Sequence, residues 1–576
     1  MRTRAVNPHE IAYPNHLPRM SSLRTIGRYW HSLRHLRPHQ IYGRVLFDRV
    51  MPRPDLRPAP ALRPVTGVWH APASRAQSLI GPTTFRLLNV QHDLDAVGWD
   101  GGTIDLLWRY NQHYFDDLAA VGAADRRDWH AALLLCWVHE NPPAQGTGWR
   151  PYPNSLRIVN WVKWALAGGQ LPQECLQSLA VQARWQRRRI EWHYLGNHLL
   201  VNAKALVFAG CLFDGPEADE WRTTGLDIYA RQLPEQILAD GGHYELSPMY
   251  QSLMLEDLLD IINLASAYPA LARDVPSVIR ESIPPMRRWL AAMCHPDGQI
   301  SFFNDAAFGI APEPASIDSY AARLDFPEYV RPSEGITHLA PSGYVRMQRG
   351  PAVVIADVGQ VCADVCPAHA HADTLSFECS LYGKRVLVNT GVLQYGQGLV
   401  RDQQRGTPAH NAVSVDGMNS SDVWGGFRVA HRARVHGVSI QDTGKTLELR
   451  ASHDGYRRLP ASPVHERRWQ LGDGELVVTD RVTGGLQAMA HVHFAPGVVD
   501  DIQGHADTTE ERGRDASGVN SLLGGRASVA LGPTFSIGSF DWCPEFGRTT
   551  PATRAEIPLQ GGAATMRLSW ADSALQ

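Results

Sequence analysis

The stretch LGNHLLVNAKALVFA (195–209) carries the pattern that decides the first half of the fold. Its apolar residues recur three and four positions apart, as on a helix that buries a face. The same spacing returns in Trp129–His139, Ser155–Ala167, Leu226–Leu238 and Leu253–Ala267. Short breaks such as Asp214-Gly215-Pro216 and Asp240-Gly241-Gly242 divide these blocks. Many antiparallel helices of similar length predict a bundle, solenoid or toroid. After Pro341 the period changes to two. Ala352–Val358, Leu375–Leu381, Arg385–Asn389, Ala412–Asp416, Arg432–Ile440, Leu447–Ala451 and Leu476–Arg481 read as strands. Asp416-Gly417, Asp454-Gly455 and Asp473-Gly474 supply turn signals between several of them. With helices scarce in this half, an antiparallel sandwich is expected. Residues 1–95 are rich in Arg, His and Pro, and Pro52 to Pro72 reads as an irregular linker. The predicted plan is an α+β multidomain protein. It has an extension and linker over 1–95, a helical domain over 96–335 and a β-sandwich over 336–576.

A chain of 576 residues exceeds what one hydrophobic core usually organises, which agrees with two large domains. The composition, 44% hydrophobic and 20% charged, is that of a globular protein without biased tracts. A net charge of -3 provides no overall field for nucleic acid or an anionic membrane, although local cationic patches for an acidic polymer are compatible with it. No apolar run reaches the roughly 18 residues of a membrane span. The eight cysteines are scattered through apolar stretches, as suits buried thiols better than a disulfide framework. The first forty residues are basic but contain no apolar signal-peptide core, so the chain as written starts in the cytoplasm.

Three polar clusters stand out. The first is Gly196-Asn197-His198 at the start of an apolar helix. The second runs from Asp240 through Gly241, Gly242, His243, Tyr244, Glu245, Leu246, Ser247, Pro248 and Met249 to Tyr250 and Gln251. The third is His369-Ala370-His371-Ala372-Asp373-Thr374-Leu375-Ser376-Phe377, followed by Asn389, Tyr395 and Thr407–Asn411. Singly, each has an ordinary reading. Asn197 could cap its helix, His198 could be structural, and Tyr250 could be a core tyrosine with a bonded hydroxyl. His369 and His371 are less easily dismissed. On a strand, alternate residues face one side, so the two imidazoles would converge, with His410 as a third.

The order and spacing of the three clusters together resemble the heparinase II/III family of polysaccharide lyases, to which heparin-sulfate lyases and oligoalginate lyases belong. The resemblance covers residues 25–500. It includes Leu107–Asn111, Trp149–Pro153, Ser155–Arg157, Asn304-Asp305, Trp424 and Phe427-Arg428. It implies an incomplete (α/α) toroid followed by an antiparallel β-sandwich, with the active cleft between them. It also implies β-elimination on an acidic, uronic-acid-containing polysaccharide. Removing the C5 proton beside a carboxylate builds negative charge there, which donors must meet. A base takes that proton, and an acid protonates the departing O4 oxygen. By resemblance, Asn197 and His198 neutralise the carboxylate, and Tyr250 is the acid and sometimes also the base. His369 and Tyr395 are the candidate partners from the sandwich.

The resemblance further implies a structural zinc ion held by two histidines and an aspartate, and no organic cofactor. His371 and His410 match the histidines, but Asn389 stands at the aspartate position. An amide oxygen is the poorer zinc ligand and brings no charge. Gln251 departs too, where relatives often carry histidine. Trp108, Tyr110, Tyr114, Tyr152 and Trp161 are candidates for stacking on sugar rings, or for filling the toroid core. Arg109, Arg150 and Arg157 are candidates for pairing with substrate anions, or ordinary surface and capping arginines. Relatives usually work in the periplasm or outside the cell, whereas this start shows no export signal. Two rival functions remain open. A glycoside hydrolase would need two carboxyl groups flanking the bond, for which Asp240, Glu245 and Asp305 are available. A non-catalytic, polymer-handling protein of an exopolysaccharide pathway would need none of this chemistry.

Overall fold

The computed structural model describes residues 23–329, 331–501 and 519–571. The basic start at residues 1–22, part of the stretch read above for an export signal, lies outside them. The toroid is built from the helices Arg127–Glu140, Pro151–Leu166, Gln173–Arg188, Gly196–Leu212, Pro216–Gln236, Pro248–Ala267, Ser277–Ala292 and Pro314–Arg323. Proline at the first turn starts the helices at 151, 216 and 248, where a missing N–H costs no helical bond. The helix Gly196–Leu212 is apolar almost all round and lies at the centre of the domain. Every one of its residues is buried except His198, so its only opening to solvent is a candidate site residue.

The N-terminal extension is more ordered than a linker. Helices Leu23–Leu33 and Pro38–Arg49 strap the two domains together. Arg28 grips Asp422 of the sandwich at 2.7 and 3.0 Å, Arg37 pairs with Glu235 of the toroid, and Gln40 donates to the Val365 carbonyl. The irregular stretch after them runs over the toroid and satisfies its backbone there. Arg63 N–H donates to the Leu212 carbonyl at 2.8 Å, and Gly67 N–H to Ala267 at 3.0 Å.

The sandwich has an eight-stranded sheet in the spatial order 435–442, 447–453, 465–471, 475–482, 563–570, 527–530, 519–522, 499–501. Facing it are a five-stranded sheet (335–339, 344–349, 352–357, 377–381, 384–387) and a four-stranded one (536–545, 548–558, 488–493, 413–415). All these pairings are antiparallel. A bridge between Leu387 and Phe494 joins the two smaller sheets edge to edge. Strands 447–453 and 465–471 alternate buried and exposed residues without a break, as expected for one wet and one dry face. Asp473-Gly474 makes a tight hairpin as read, whereas Asp454-Gly455 opens an irregular loop before residue 465.

One local expectation is corrected. His369 and His371 lie in a loop, not on a strand, because the strand begins only at Phe377. The loop is held by its carbonyls. Arg405 donates to Ala370 O at 3.0 and 2.8 Å, and Thr407 Oγ1 donates to Ala372 O at 2.8 Å. From below, Arg467 binds the carbonyls of Leu375 and Asn411 while paired with the buried Asp480. Leu206, fully buried in the central helix, reports on toroid packing. Leu206→Ala is expected to cost about 2–5 kcal/mol in urea unfolding, the usual range for a cavity that cannot collapse. A loss below about 1 kcal/mol would show that the central helix is not packed as described.

Candidate active site

A cavity of about 1620 Å³ opens between the domains. Asn197, His198, Tyr250, His369 and Tyr395 all line it, together with Tyr110, Tyr114, Arg150, Tyr152, Glu191 and Glu245. Residues from four distant parts of the chain thus meet at one place.

The Asn197 corner is shaped by the chain around it. Leu195 and Gly196 both take positive φ, +60° and +55°, to start the central helix abruptly. A Cβ on Gly196 would sit 2.1 Å from Glu245 Oε1, so only glycine fits. Glu245 is the reason for this close approach. Its Oε1 accepts from Asn197 N–H at 3.0 Å, and Asn197 Nδ2 donates to both carboxylate oxygens at 3.0 Å. Burial alone would raise Glu245. The imidazoles of His369 and His243 and the Asn197 donors outweigh it and hold the carboxyl below its ordinary value. His198 sits one residue on, with Nδ1 3.2 Å from Glu191 Oε2 and its ring 4.5 Å from that of Tyr152. Burial pulls its pKa down, but the charge and hydrogen bond of Glu191, helped by Glu245, raise it above the ordinary histidine value. Glu191 is itself fixed by the side chain of Asn202.

The second cluster resolves into parts with separate tasks. His243 and Gln251 are structural. His243 Nε2 pairs with Gln236 Oε1, and Gln251 Nε2 binds the carbonyls of Gly241 and Met286. The Tyr244 hydroxyl accepts from Gly196 N–H. Ser247 caps the helix that begins at Pro248, taking the Tyr250 N–H at 3.3 Å, and its hydroxyl donates to the Asp305 carbonyl. Tyr250 is thereby presented from the first helical turn. Its ring stacks on His369 at 4.0 Å between centroids, and its hydroxyl lies 3.0 Å from that of Tyr395. Burial holds both phenols well above their ordinary pKa, so each is a protonated donor at neutral pH.

His369 and His371 converge through Asp305. Its Oδ2 accepts from His369 Nδ1 at 2.9 Å and its Oδ1 from His371 Nε2 at 2.8 Å. Arg401 closes the same carboxylate with Nη1 and Nη2 at 2.5 and 2.7 Å. Against the pull of burial, Arg401 and the two imidazole donors keep Asp305 ionised far into acid. With Nδ1–H of His369 directed at Asp305, the lone pair of the neutral ring falls on Nε2. That nitrogen lies on the Glu245 side, 3.9 Å from Oε2.

Of the sugar-stacking candidates, Tyr110, Tyr114 and Tyr152 line the cavity, and so does Arg150, which donates to the Tyr110 hydroxyl at 3.1 Å. Trp108 does not line it. Its indole N–H is spent on the Val90 carbonyl, and its ring packs edge-on against Phe85 in the core. Trp161 is likewise a fully buried core residue. Arg157 is buried beneath the Thr147–Trp149 turn, bonded to Gln182, Gly148 and Asn154, and is a scaffold residue. Arg109 lies 3.8 Å from Asp100.

The expected zinc ligands also meet. His371 Nδ1 and His410 Nε2 are 3.3 Å apart, close to the separation of two ligands on one tetrahedral zinc ion. The third position does not fit. Asn389 gives Nδ2 to the Phe302 carbonyl at 2.7 Å and takes the Asn411 N–H on Oδ1 at 3.2 Å. Among the described residues no three His, Cys, Asp or Glu side chains are arranged to hold a metal. Two neutral imidazoles and an amide would leave the ion's charge unbalanced, and Asp305 is already saturated by three donors.

Fold and cleft together define a toroid-and-sandwich protein with a cluster of histidine, tyrosine and carboxylate side chains between its domains. The comparisons agree. The Heparinase II/III N-terminus model matches residues 108–322, and the Heparinase II/III-like C-terminal model matches residues 331–571. This chain belongs to the heparinase II/III family. It is similar to a heparin-sulfate lyase of Bacteroides stercoris, 27% identical over 458 residues, covering 70% of this chain and 66% of that protein. It is also similar to a heparin-sulfate lyase of Pedobacter heparinus, 24% identical over 316 residues, covering 49% and 47%. The matches therefore span between about half and two thirds of those curated relatives. A heparinase III crystal structure shares the fold with a TM-score of 0.66 at 18% identity, over 92% of this chain and 89% of that one.

Sequence reading passed over Glu191 and Arg401, and it weighed Glu245 and Asp305 only as hydrolase acids. Glu191 raises the His198 pKa against the pull of burial and so favours the charged imidazole. Glu191→Gln is expected to move the His198 titration, followed by imidazole proton NMR, to lower pH. The sign follows from linkage. A raised histidine pKa means that the pair stabilises the fold at low pH and that this contribution is lost as pH rises through the folded value. An unchanged titration would remove Glu191 from this role.

Proposed function

We propose that this chain is a polysaccharide lyase that cleaves a uronic-acid-containing polysaccharide of the glycosaminoglycan type by β-elimination across C4 and C5. The observation that carries the reading is the Tyr250–Tyr395 hydroxyl pair at 3.0 Å, with the Tyr250 ring packed at a tilt on His369, in a cavity that the His198 imidazole also lines. Family membership and similarity to proteins named heparin-sulfate lyases support it.

In this reading the substrate carboxylate docks against His198 and Asn197. The Asn197 amide nitrogen has two hydrogens, and the one not held by Glu245 is the donor for the carboxylate. His198, charged through Glu191, supplies the neutralising cation. Both act most strongly when the C5 proton leaves and charge accumulates on the carboxylate. The His369 Nε2 lone pair takes the C5 proton, and the Tyr250 hydroxyl delivers a proton to O4 as the C4–O4 bond breaks. Tyr395 holds the Tyr250 hydroxyl in place. Tyr110, Tyr152 and Arg150 extend the binding surface along the toroid.

The hydrolase alternative finds little support in the cavity. Asp240 is bound to Ser342 and does not line the cavity, and Asp305 and Glu245 are held as carboxylates by their hydrogen-bond partners, so neither of these two is a protonated acid poised at a glycosidic oxygen.

Activity is tested on hyaluronan, heparan sulfate, chondroitin, alginate and glucuronan by the ultraviolet absorbance of the new C4–C5 double bond. Tyr250→Phe removes one hydroxyl and is expected to fold normally with turnover reduced at least about 100-fold. Near-normal turnover would exclude Tyr250 as the acid. Asn197→Ala and His198→Ala are each expected to lower kcat more than they raise KM, since their charge is needed in the transition state. A pure KM effect would make them ordinary substrate contacts.

A further inference from the structure

We propose that this chain replaces the sandwich metal ion with an internal cation: the Arg401 guanidinium, seated on Asp305, organises the His369–His371–His410 cluster, and Arg401 is a positioning residue for His369. The positioning half of this inference rests on the lyase reading above, whereas the metal half stands without it.

The geometry is that of a closed network. Arg401 presents two N–H groups to the two oxygens of Asp305 in the fork arrangement that binds a carboxylate best. Its third nitrogen, Nε, donates to the Gly426 carbonyl at 3.1 Å. The guanidinium is fully buried and lies 4.9 Å from the Tyr395 ring centre and 5.3 Å from that of Phe427. One cation therefore touches both sides of the proton-transfer centre. It fixes the carboxylate that orients His369, and it supports the ring whose hydroxyl bonds Tyr250.

The network also commits the lone pairs that a metal would need. Both Asp305 oxygens, held in the Arg401 fork, also accept N–H groups, one from His369 and one from His371. His371 Nδ1 is then left as an acceptor, 3.3 Å from His410 Nε2. Asn389 is turned to backbone partners on both sides of its amide. Among the described residues no three His, Cys, Asp or Glu side chains are placed to hold a divalent ion, and the Arg401 guanidinium already neutralises the carboxylate bonded to His371. The backbone completes the frame, with Asp305 N–H on His369 O at 3.0 Å and His371 N–H on Asn304 Oδ1 at 3.0 Å. What a metal would do by ligation, fixing ring orientation and tautomer, is done here by hydrogen bonds to one carboxylate.

The test uses the full chain. Wild-type protein purified without chelators, then incubated with zinc and desalted, is expected to hold well under one zinc per chain. Its Tm and kcat should be unchanged by EDTA. One zinc per chain whose removal lowers Tm would overturn the proposal. Arg401→Ala is expected to lose kcat at least about 100-fold with KM changed only a few-fold, and to regain part of it in millimolar methylguanidinium but not in ammonium. Turnover like wild type, or a loss that methylguanidinium does not relieve, would overturn the positioning role. Should Arg401→Ala fail to fold, Arg401→Lys keeps the charge without the fork and is expected to turn over at least about 10-fold more slowly at unchanged KM. Wild-type kcat in Arg401→Lys would count against the fork. Arg401→Met combined with Asn389→Asp is expected to bind zinc and to show a zinc-dependent rise in Tm. No uptake by that variant would contradict the idea that Arg401 stands in for an ion. If wild type cleaves no polymer, the kinetic arms fall with the lyase reading, while metal content and Tm still judge the exchange.

Discussion

The carboxylate of Asp305 is the contact on which the arrangement of this cleft depends. It has no exposure to solvent, so its charge survives only because donors surround it. Those donors come from different places: His369 and His371 from one sandwich loop, and Arg401 from a short helix after the next two strands. Asp305 itself belongs to the segment between the toroid helices Ser277–Ala292 and Pro314–Arg323. Its backbone carbonyl takes the Ser247 hydroxyl at the head of the Tyr250 helix. Removing any one donor leaves the rest facing an incompletely paired buried charge, which is why such clusters fail as units.

From this clamp outward, the two domains divide the chemistry. The toroid contributes the wall where a buried helix opens to solvent at His198 alone and Glu191 raises the pKa of that imidazole. It also supplies Tyr250, aimed across the gap by the Ser247 cap. The sandwich contributes His369 and Tyr395, and Tyr250 forms the seam through its ring on one and its hydroxyl on the other. Neither domain holds a complete site. The helices Leu23–Leu33 and Pro38–Arg49, which grip both domains, therefore bear on the site through the register of that seam.

Much of this was legible in the chain itself, for reasons of periodicity. A helix such as Gly196–Leu212, or a strand such as Leu447–His453, announces itself because its burial pattern repeats at short range. The helix Ser277–Ala292 was not among the blocks read that way, since Pro284 and Pro285 interrupt its signal. Candidate residues in dense polar motifs were found because several functional side chains fall within a few positions. Arg401 and Glu191 sit alone among ordinary neighbours, and their tasks arise only from contacts across 96 and 7 positions of chain. Trp108 misled because an aromatic beside a polar motif looks the same in sequence whether it faces sugar or core; its indole bond to Val90 decides for the core. The two histidines converged as expected, yet through a shared carboxylate in a loop and not through the pleat of a strand.

The central claim is that bond cleavage in this cleft proceeds by proton abstraction and elimination, with no water added. Whichever uronic-acid polymer the protein cleaves, digestion in water enriched with heavy oxygen, read by mass spectrometry of the fragments, addresses this directly. Elimination predicts fragments with an unsaturated terminal uronate and no solvent oxygen incorporated by cleavage, once exchange at the reducing carbon is blanked against fragments incubated without enzyme. Saturated ends carrying one heavy oxygen per bond broken would contradict the account.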